Sequence, residues 1–404
     1  MTSGLLWWVL LTLYALLVFR WLWGHVELTT ALRTGALAPT MPREPQTPQP
    51  PVSVVIAAHN EAETIERCLA RVLVQDYPRL QVLIANDRSA DDTGQIVRRI
   101  AADHPNVRCI DIHHLPEGWL GKTHAISVAA RQADGEYLLF MDSDVELHPA
   151  TVSTVVDLAE RRRLDFLSLW PKVVVKGFWE RFLLPALGWT LGLWFPNSRP
   201  DRIETTPVFA NGQFLMIRRE PYERIGGHAA VPDEMAEDVS LARLAKQAGL
   251  RRFMGLGGEL LRTRMYESLE QIVHGWTRIF IGTLGRSWKL AFTIFCALIG
   301  VVPAFAVPIA LAIRAASGQM PGPIQWTGWI VAAIHLPAMY GLVYRYFRVA
   351  YEGRAHVLLF PVALLGVSVL LGYCLILIHG WGTIRWGNLR YRVRGSRAVR
   401  RLTS

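Results

Sequence analysis

The chain has 404 residues, 51% apolar and 19% charged, with a net charge of +10. That composition excludes a disordered chain, which needs low hydrophobicity and high charge, and the length leaves room for more than one folded unit. The charge is local: residues 353–404 contain no acidic side chain, and Arg385, Arg390, Arg392, Arg394, Arg397, Arg400 and Arg401 supply seven of the positive charges.

Residues 4–23 form an apolar run edged by Trp7, Trp8, Trp21 and Trp23, the aromatic belt of a membrane interface. No basic stretch precedes the run and no small-residue cleavage site follows it closely, so residues 1–24 read as a retained anchor rather than a signal peptide. Residues 25–50 read as a linker, with Pro42, Pro45, Pro48, Pro50 and Pro51 marking an extended spacer. Strands are then expected over 52–58, 81–85, 107–112 and 136–141, and helices over 61–75, 91–102 and 122–132. This alternation predicts an α/β domain with a mainly parallel sheet and helices on both faces, spanning residues 51–285. In such sheets ligands bind beyond the carboxyl ends of the strands.

The polar residues at those ends are candidates for chemistry. Asp142-Ser143-Asp144 closes the fourth strand; two carboxylates there can share a hard divalent cation with phosphate oxygens, or form a solvated turn. In the loop 86–93, Asp91 and Asp92 suit the start of the next helix, which leaves Asp87 for a base or ribose. Gly121 permits close backbone approach and Lys122 brings a point charge suited to a diphosphate; the alternative is a surface lysine. Glu237 and Asp238 open a helix at 239–248. They are either an acidic first turn favoured by the helix dipole, or, for Asp238, a general base. Asn211-Gly212-Gln213 leads into a strand at 214–217, with a role that spacing leaves open. Phe178–Trp194 is rich in aromatics, including Trp179, and reads as an interfacial element within residues 176–196.

Residues 290–313, 326–347 and 357–379 are each long enough to cross ~30 Å of hydrocarbon. They make residues 286–380 a set of C-terminal transmembrane segments, followed by a basic tail at 381–404. Beside an apolar helix, and without a nucleic-acid-binding motif, that tail points to anionic lipid headgroups rather than nucleic acid. Arg345, Arg348 and Arg354 want the same side of the membrane as the tail, yet one crossing separates them. Either 357–379 is re-entrant or interfacial, or the positive-inside rule fails at one loop. Cys68, Cys109, Cys296 and Cys374 form no CxxC pair and no zinc spacing.

The segments VSVVIAAHNE (52–61), NDRSADDT (86–93), DSD (142–144), NGQFLMIRREPYERIGGH (211–228) and ED (237–238) together resemble the family 2 glycosyltransferases, over roughly residues 51–280. LPEGWLGK (115–122) with NGQFLMIRR resembles the membrane-bound branch that glycosylates carotenoid, hopanoid-associated and ceramide-type lipids. The resemblance implies a GT-A fold, a UDP-sugar donor, a divalent metal (Mg or Mn) and inversion at the anomeric carbon. It implies that Ala57, Glu61 and Asp87 line the uridine pocket and that Lys122 and Arg278 face the diphosphate. Asp142 would reach the ribose or metal, Asp144 would ligate the metal, and Asp238 would be the catalytic base. Asn211, Gln213, Glu237 and Trp179 are candidates for the acceptor side.

Two departures stand out. Asn86-Asp87 replaces the family's frequent Asp-Asp. Residues 275–279 (GWTRI) lack the Gln and final Trp of the Gln-x-x-Arg-Trp found in processive synthases. The expected reaction is therefore transfer of a single hexose, glucose foremost, to a hydroxyl or carboxyl of a membrane lipid. The enzyme would sit in the plasma membrane as a multi-pass protein with its catalytic domain facing the cytoplasm. Processive polysaccharide synthesis, transfer to a polyprenyl phosphate, and a non-catalytic scaffold or transporter are the alternatives.

Overall fold

The computed structural model describes residues 2–39, 49–195, 208–318, 322–354, 356–386 and 389–402. Most of the expected Pro-rich spacer lies outside them. Helix α1 (Thr2–Gly35) leads to the α/β half: β1 (Val52–Ala58), α2 (Ile65–Leu73), β2 (Leu80–Asp87), α3 (Thr93–Asp103), β3 (Val107–Ile112), α4 (Gly121–Ala130) and β4 (Tyr137–Asp142). β1 pairs in parallel with both β2 and β4. Its residues Val52, Val54, Val55 and Ile56 are fully buried, the pattern of a strand covered on both faces.

The second half contains β5 (Val145–Leu147), α5 (Thr151–Arg162), β6 (Phe166–Trp170), β7 (Lys172–Val174), α6 (Phe178–Gly192), β8 (Phe214–Arg218), α7 (Arg219–Arg224), α8 (Glu237–Gln247), β9 (Arg252–Leu256) and β10 (Leu261–Thr263). The main sheet runs β3-β2-β1-β4-β8-β6-β9 and is parallel except where β8 meets β4 and β6. One face packs Val54, Ile56 and Leu139 beneath α2 and α5; the other packs Val55, Leu83 and Phe140 beneath α4 and α8. This is the mainly parallel GT-A-like sheet, with helices on both faces.

After β10 come α9 (Leu269–Leu284), α10 (Ser287–Ala316), α11 (Gly322–Ala350), β11 (Tyr351–Glu352), α12 (Phe360–Ile378), β12 (Ile384–Trp386), β13 (Leu389–Arg394) and β14 (Arg397–Leu402). A second sheet, β11-β7-β10-β5, joins segments far apart in the chain. α1, α10, α11 and residues 357–378 are long and apolar enough to cross a membrane. Their outward residues, such as Phe295, Ile309, Ile330 and Val369, are bare, a surface that suits lipid better than water.

One boundary shifts, and two segments take a definite form. The first helix continues past residue 24 to Gly35, because residues 25–35 contain no proline and pack on α11. There Arg345 donates to the His25 carbonyl at 3.2 Å and to Thr29 Oγ1 at 2.7 Å. The linker therefore starts later than residue 25. In the basic tail, β12, β13 and β14 form a sheet of their own. In β13, Tyr391 and Val393 are buried while Arg390, Arg392 and Arg394 are exposed. Lastly, the chain on both sides of α12 touches the α/β domain. Ahead of it, β11 pairs with β7 through Tyr351↔Val173, and the His356 ring lies 5.4 Å from Phe178. Behind it, His379 Nε2 lies 3.1 Å from Ser287 Oγ, and the β13–β14 turn is fastened to the loop before α8.

Candidate active site

The carboxyl ends of β1, β2 and β4 and the first turns of α4 and α8 meet at one rim. Ala57, Glu61, Asp87, Lys122, Asp142, Asp144, Asn211, Gln213, Glu237, Asp238 and Arg278 all line a single cavity of about 1530 Å³. Trp179 does not. It packs with Phe178 and Phe182 at the start of α6.

Asp87 ends β2 and is held hard. Arg88 Nε and Nη2 donate to its two carboxylate oxygens at 2.8 and 2.7 Å, a bidentate grip that fixes geometry as well as charge. Arg88 achieves this at φ 53°, in the left-handed region, with its N–H bonded to the Ile112 carbonyl at 3.0 Å. Gly121 is required beside it, since a Cβ there would fall 2.7 Å from Asp87 Oδ2. Asp91 accepts from the N–H groups of Ala62 and Thr93, both at 3.1 Å. It is therefore a loop and helix-start residue, as its type suggests.

Lys122 is no surface lysine. Its Nζ lies 2.7 Å from Asp142 Oδ1 and 3.0 Å from Glu237 Oε1. Burial alone would lower its pKa, but Asp142 and Glu237 outweigh that and raise it. The ammonium stays charged and acts as the internal counter-ion of an acidic rim. Burial also raises the Glu61 carboxyl, against the lowering effect of the Thr64 hydroxyl that donates to it at 2.7 Å.

Asp144 sits in the turn between β4 and β5. Its Oδ1 is buried with no hydrogen-bond partner among the described residues. Burial, then the charges of Asp142 and Glu61, push its pKa up to about 7. An orphaned carboxylate oxygen beside a second carboxylate fits a hard cation, which prefers oxygen ligands. Among the described residues, no cluster of three or more His, Cys, Asp or Glu side chains forms a metal cage. A cation here would rely on the Asp142–Asp144 pair plus donor oxygens and water.

Asp238, in the first turn of α8, accepts from the Gly212 N–H at 2.6 Å. Burial and neighbouring Glu237 push it up to about 7, the range in which a general base works best near neutral pH. Asn211 Oδ1 accepts from the Gln213 N–H at 3.1 Å and so shapes the turn that presents Gly212. Gln213 Nε2 in turn donates to Thr263 Oγ1 at 3.2 Å.

Several lining residues carried no sequence signal. Thr263 comes from the three-residue strand β10. Trp276, on α9, is 6% exposed, and its Nε1 has no partner among the described residues. Beyond it the cavity continues between the apolar helices, lined by Trp21, Trp189, Gly300, Leu342 and Tyr346. Trp21 and Trp189 stack at 5.4 Å and 14°, and Trp21 Nε1 donates to the Gly300 carbonyl at 3.0 Å.

Residues 53–226 match the family described as glycosyl transferase family 2. The chain carries a family 2 glycosyltransferase domain. This bears out the resemblance and makes the protein a glycosyltransferase. Its relatives include 4,4'-diaponeurosporenoate glycosyltransferases of Staphylococcus haemolyticus (strain JCSC1435), 26% identical over 274 residues, and of Staphylococcus aureus (strain USA300), 25% identical over 261 residues. The alignments cover 65% and 62% of this chain and 70% and 66% of those proteins. A solved mannosyltransferase from Pyrobaculum calidifontis, in complex with GDP-Man and Mn2+, has a TM-score of 0.49 at 20% identity, covering 89% of this chain and 97% of its own.

Proposed function

We propose that this glycosyltransferase moves a single hexose, glucose foremost, from a UDP-sugar to an oxygen of a membrane lipid, with inversion. The observation that carries the reading is the cavity. It is lined at one end by Asp144 and Asp238 and at the other by Trp21, Gly300 and Leu342, on three apolar helices. A water-soluble donor and a lipid-dissolved acceptor can thus reach the same atoms from opposite ends. The name of the Staphylococcus relatives, a glycosyltransferase of a carotenoid carboxylate, supports an acceptor of this kind.

In the reaction the acceptor oxygen attacks the anomeric carbon. A hydroxyl acceptor passes its proton to Asp238, whereas an ionised carboxylate brings none; in either case the bond from that carbon to the diphosphate breaks with its electron pair leaving on the diphosphate. A divalent cation held by Asp142 and Asp144 would neutralise charge on that leaving group. Lys122 and Arg278 add fixed positive charge at the same rim. Asp238 must be deprotonated to act, so activity is lost as pH falls through its pKa. We expect the acid limb of kcat/KM near pH 7 rather than near ~4, where an ordinary aspartate titrates. A pH–rate profile checks this; a limb near 4 would exclude Asp238 as the base. Labelled UDP-hexoses incubated with membranes, followed by lipid extraction, test the transfer itself. Label found only in polymer or free sugar would overturn the reading.

In the membrane, α1, α10 and α11 cross, while α12 lies at the interface. The support is that the chain on both sides of α12 touches the α/β domain. Arg345, Arg348, Arg354 and the exposed face of Arg390, Arg392 and Arg394 then share the cytoplasmic side, where anionic headgroups attract them. Thiols introduced as Arg354→Cys and Arg394→Cys are expected to react with an impermeant reagent from the same side. Labelling from opposite sides would show that α12 crosses.

A further inference from the structure

The C-terminal sheet is fastened to the loop that leads into the catalytic machinery. Met235 N–H donates to the Ser396 carbonyl at 3.2 Å. The Ser396 hydroxyl donates to Glu234 Oε2 at 3.1 Å, and Arg397 Nε to Glu234 Oε1 at 2.8 Å. The same loop accepts, on the Pro232 carbonyl, the N–H of Leu120 at 2.8 Å, just ahead of the helix that carries Lys122. It then runs directly into Glu237 and Asp238. On β13, Tyr391 and Val393 face inward, and Tyr391, 4% exposed, lines the cavity. It lies near Arg88, which lines the same cavity, and Arg88 is the residue that grips Asp87.

The position of Tyr391 matters because the main sheet separates two ends of the site. Asp142 and Asp144 lie at the end of β4; Asp87 and Arg88 lie at the end of β2, with β1 between them. A donor whose diphosphate sits by the β4 carboxylates has its nucleoside at the β2 end. Resting on the donor reading above, we propose that Tyr391 is a donor-binding residue, its ring contacting the nucleoside, and that the C-terminal sheet is a required wall of the active site. Aromatic rings suit this task because every base offers a π face. This also gives the tail a role independent of lipid: its inward face serves the donor while its outward arginines remain exposed.

Titrating the full-length protein in detergent with UDP and Mn²⁺ tests the assignment by calorimetry. Tyr391→Phe keeps the ring and should bind UDP more tightly than a variant without one. Tyr391→Leu keeps apolar bulk but loses the ring, and UDP affinity should fall roughly tenfold, the lower part of the range for one lost stacking contact. Hydrogen exchange adds a readout that needs no variant to fold: UDP should slow exchange across residues 389–394. A Leu variant with unchanged melting temperature and unchanged affinity would overturn the proposal, as would exchange indifferent to UDP. If the unaltered protein bound no UDP at all, the donor reading would fail first and the Tyr391 assignment with it.

Discussion

Replacing Asp238 with asparagine is expected to lower turnover by roughly 10²–10⁴-fold, the usual worth of a positioned general base, while leaving UDP-sugar affinity within about threefold. The substitution is nearly isosteric. Its side-chain carbonyl can still accept from the Gly212 N–H, which Asp238 now does at 2.6 Å, so the turn at 211–213 is kept. What asparagine cannot do is take a proton. Single-turnover rates and a donor titration separate the two effects. The variant also discriminates between acceptor chemistries. A hydroxyl must lose a proton as it attacks, whereas a carboxylate, ionised above about pH 4, brings none. Turnover within tenfold of the unaltered enzyme would remove Asp238 from the role of base and point to a carboxylate acceptor.

Replacing Asp144 with alanine should weaken metal-dependent donor binding instead. Loss of even an outer-shell partner costs a metal site roughly 10–100-fold, and loss of a direct ligand should cost at least as much. Chelation should impose the same loss on the unaltered protein and almost none on the variant. Folding gives a second readout. Asp144 Oδ1 is buried with no partner among the described residues, and the pKa of the carboxyl is raised. At neutral pH its ionised form therefore costs stability, which is the opposite sign from a salt-bridged aspartate. The variant should melt no lower than the unaltered protein. Unchanged donor affinity and an unchanged metal requirement would show that the ligand lies elsewhere.

The first half of the domain was legible because its signals are local. β-Branched runs such as 52–58 report strands, and the carboxylates after them report a rim. Eleven of the twelve expected site residues line the cavity. Trp179 is the one that does not line it, and an aromatic in a half-buried helix says nothing about which side it faces. Non-local features were hidden. β5, β7, β10 and β11 are two or three residues each, too short for periodicity to reveal, and only their mutual pairing brings Thr263 to Gln213. The tail is a different case. Tyr391 and Val393 alternate with Arg390, Arg392 and Arg394, a period-two signal plainly present beneath the run of charge. For residues 357–379 hydropathy and loop charge left two alternatives, an interfacial helix or a failure of the positive-inside rule. The chain on both sides of helix α12 touches the α/β domain, which no hydropathy count can report.

The central claim is that one site joins the donor rim to the membrane. The most direct measurement is a structure of the protein in a lipid nanodisc with a UDP-hexose and Mn²⁺. We expect the metal at Asp142 and Asp144, the uridine beside Asp87 and Tyr391, and the sugar carbon turned toward Asp238 and the opening between α1, α10 and α11. A donor bound away from Asp144, or a sugar carbon shut off from the opening between those helices, would contradict it.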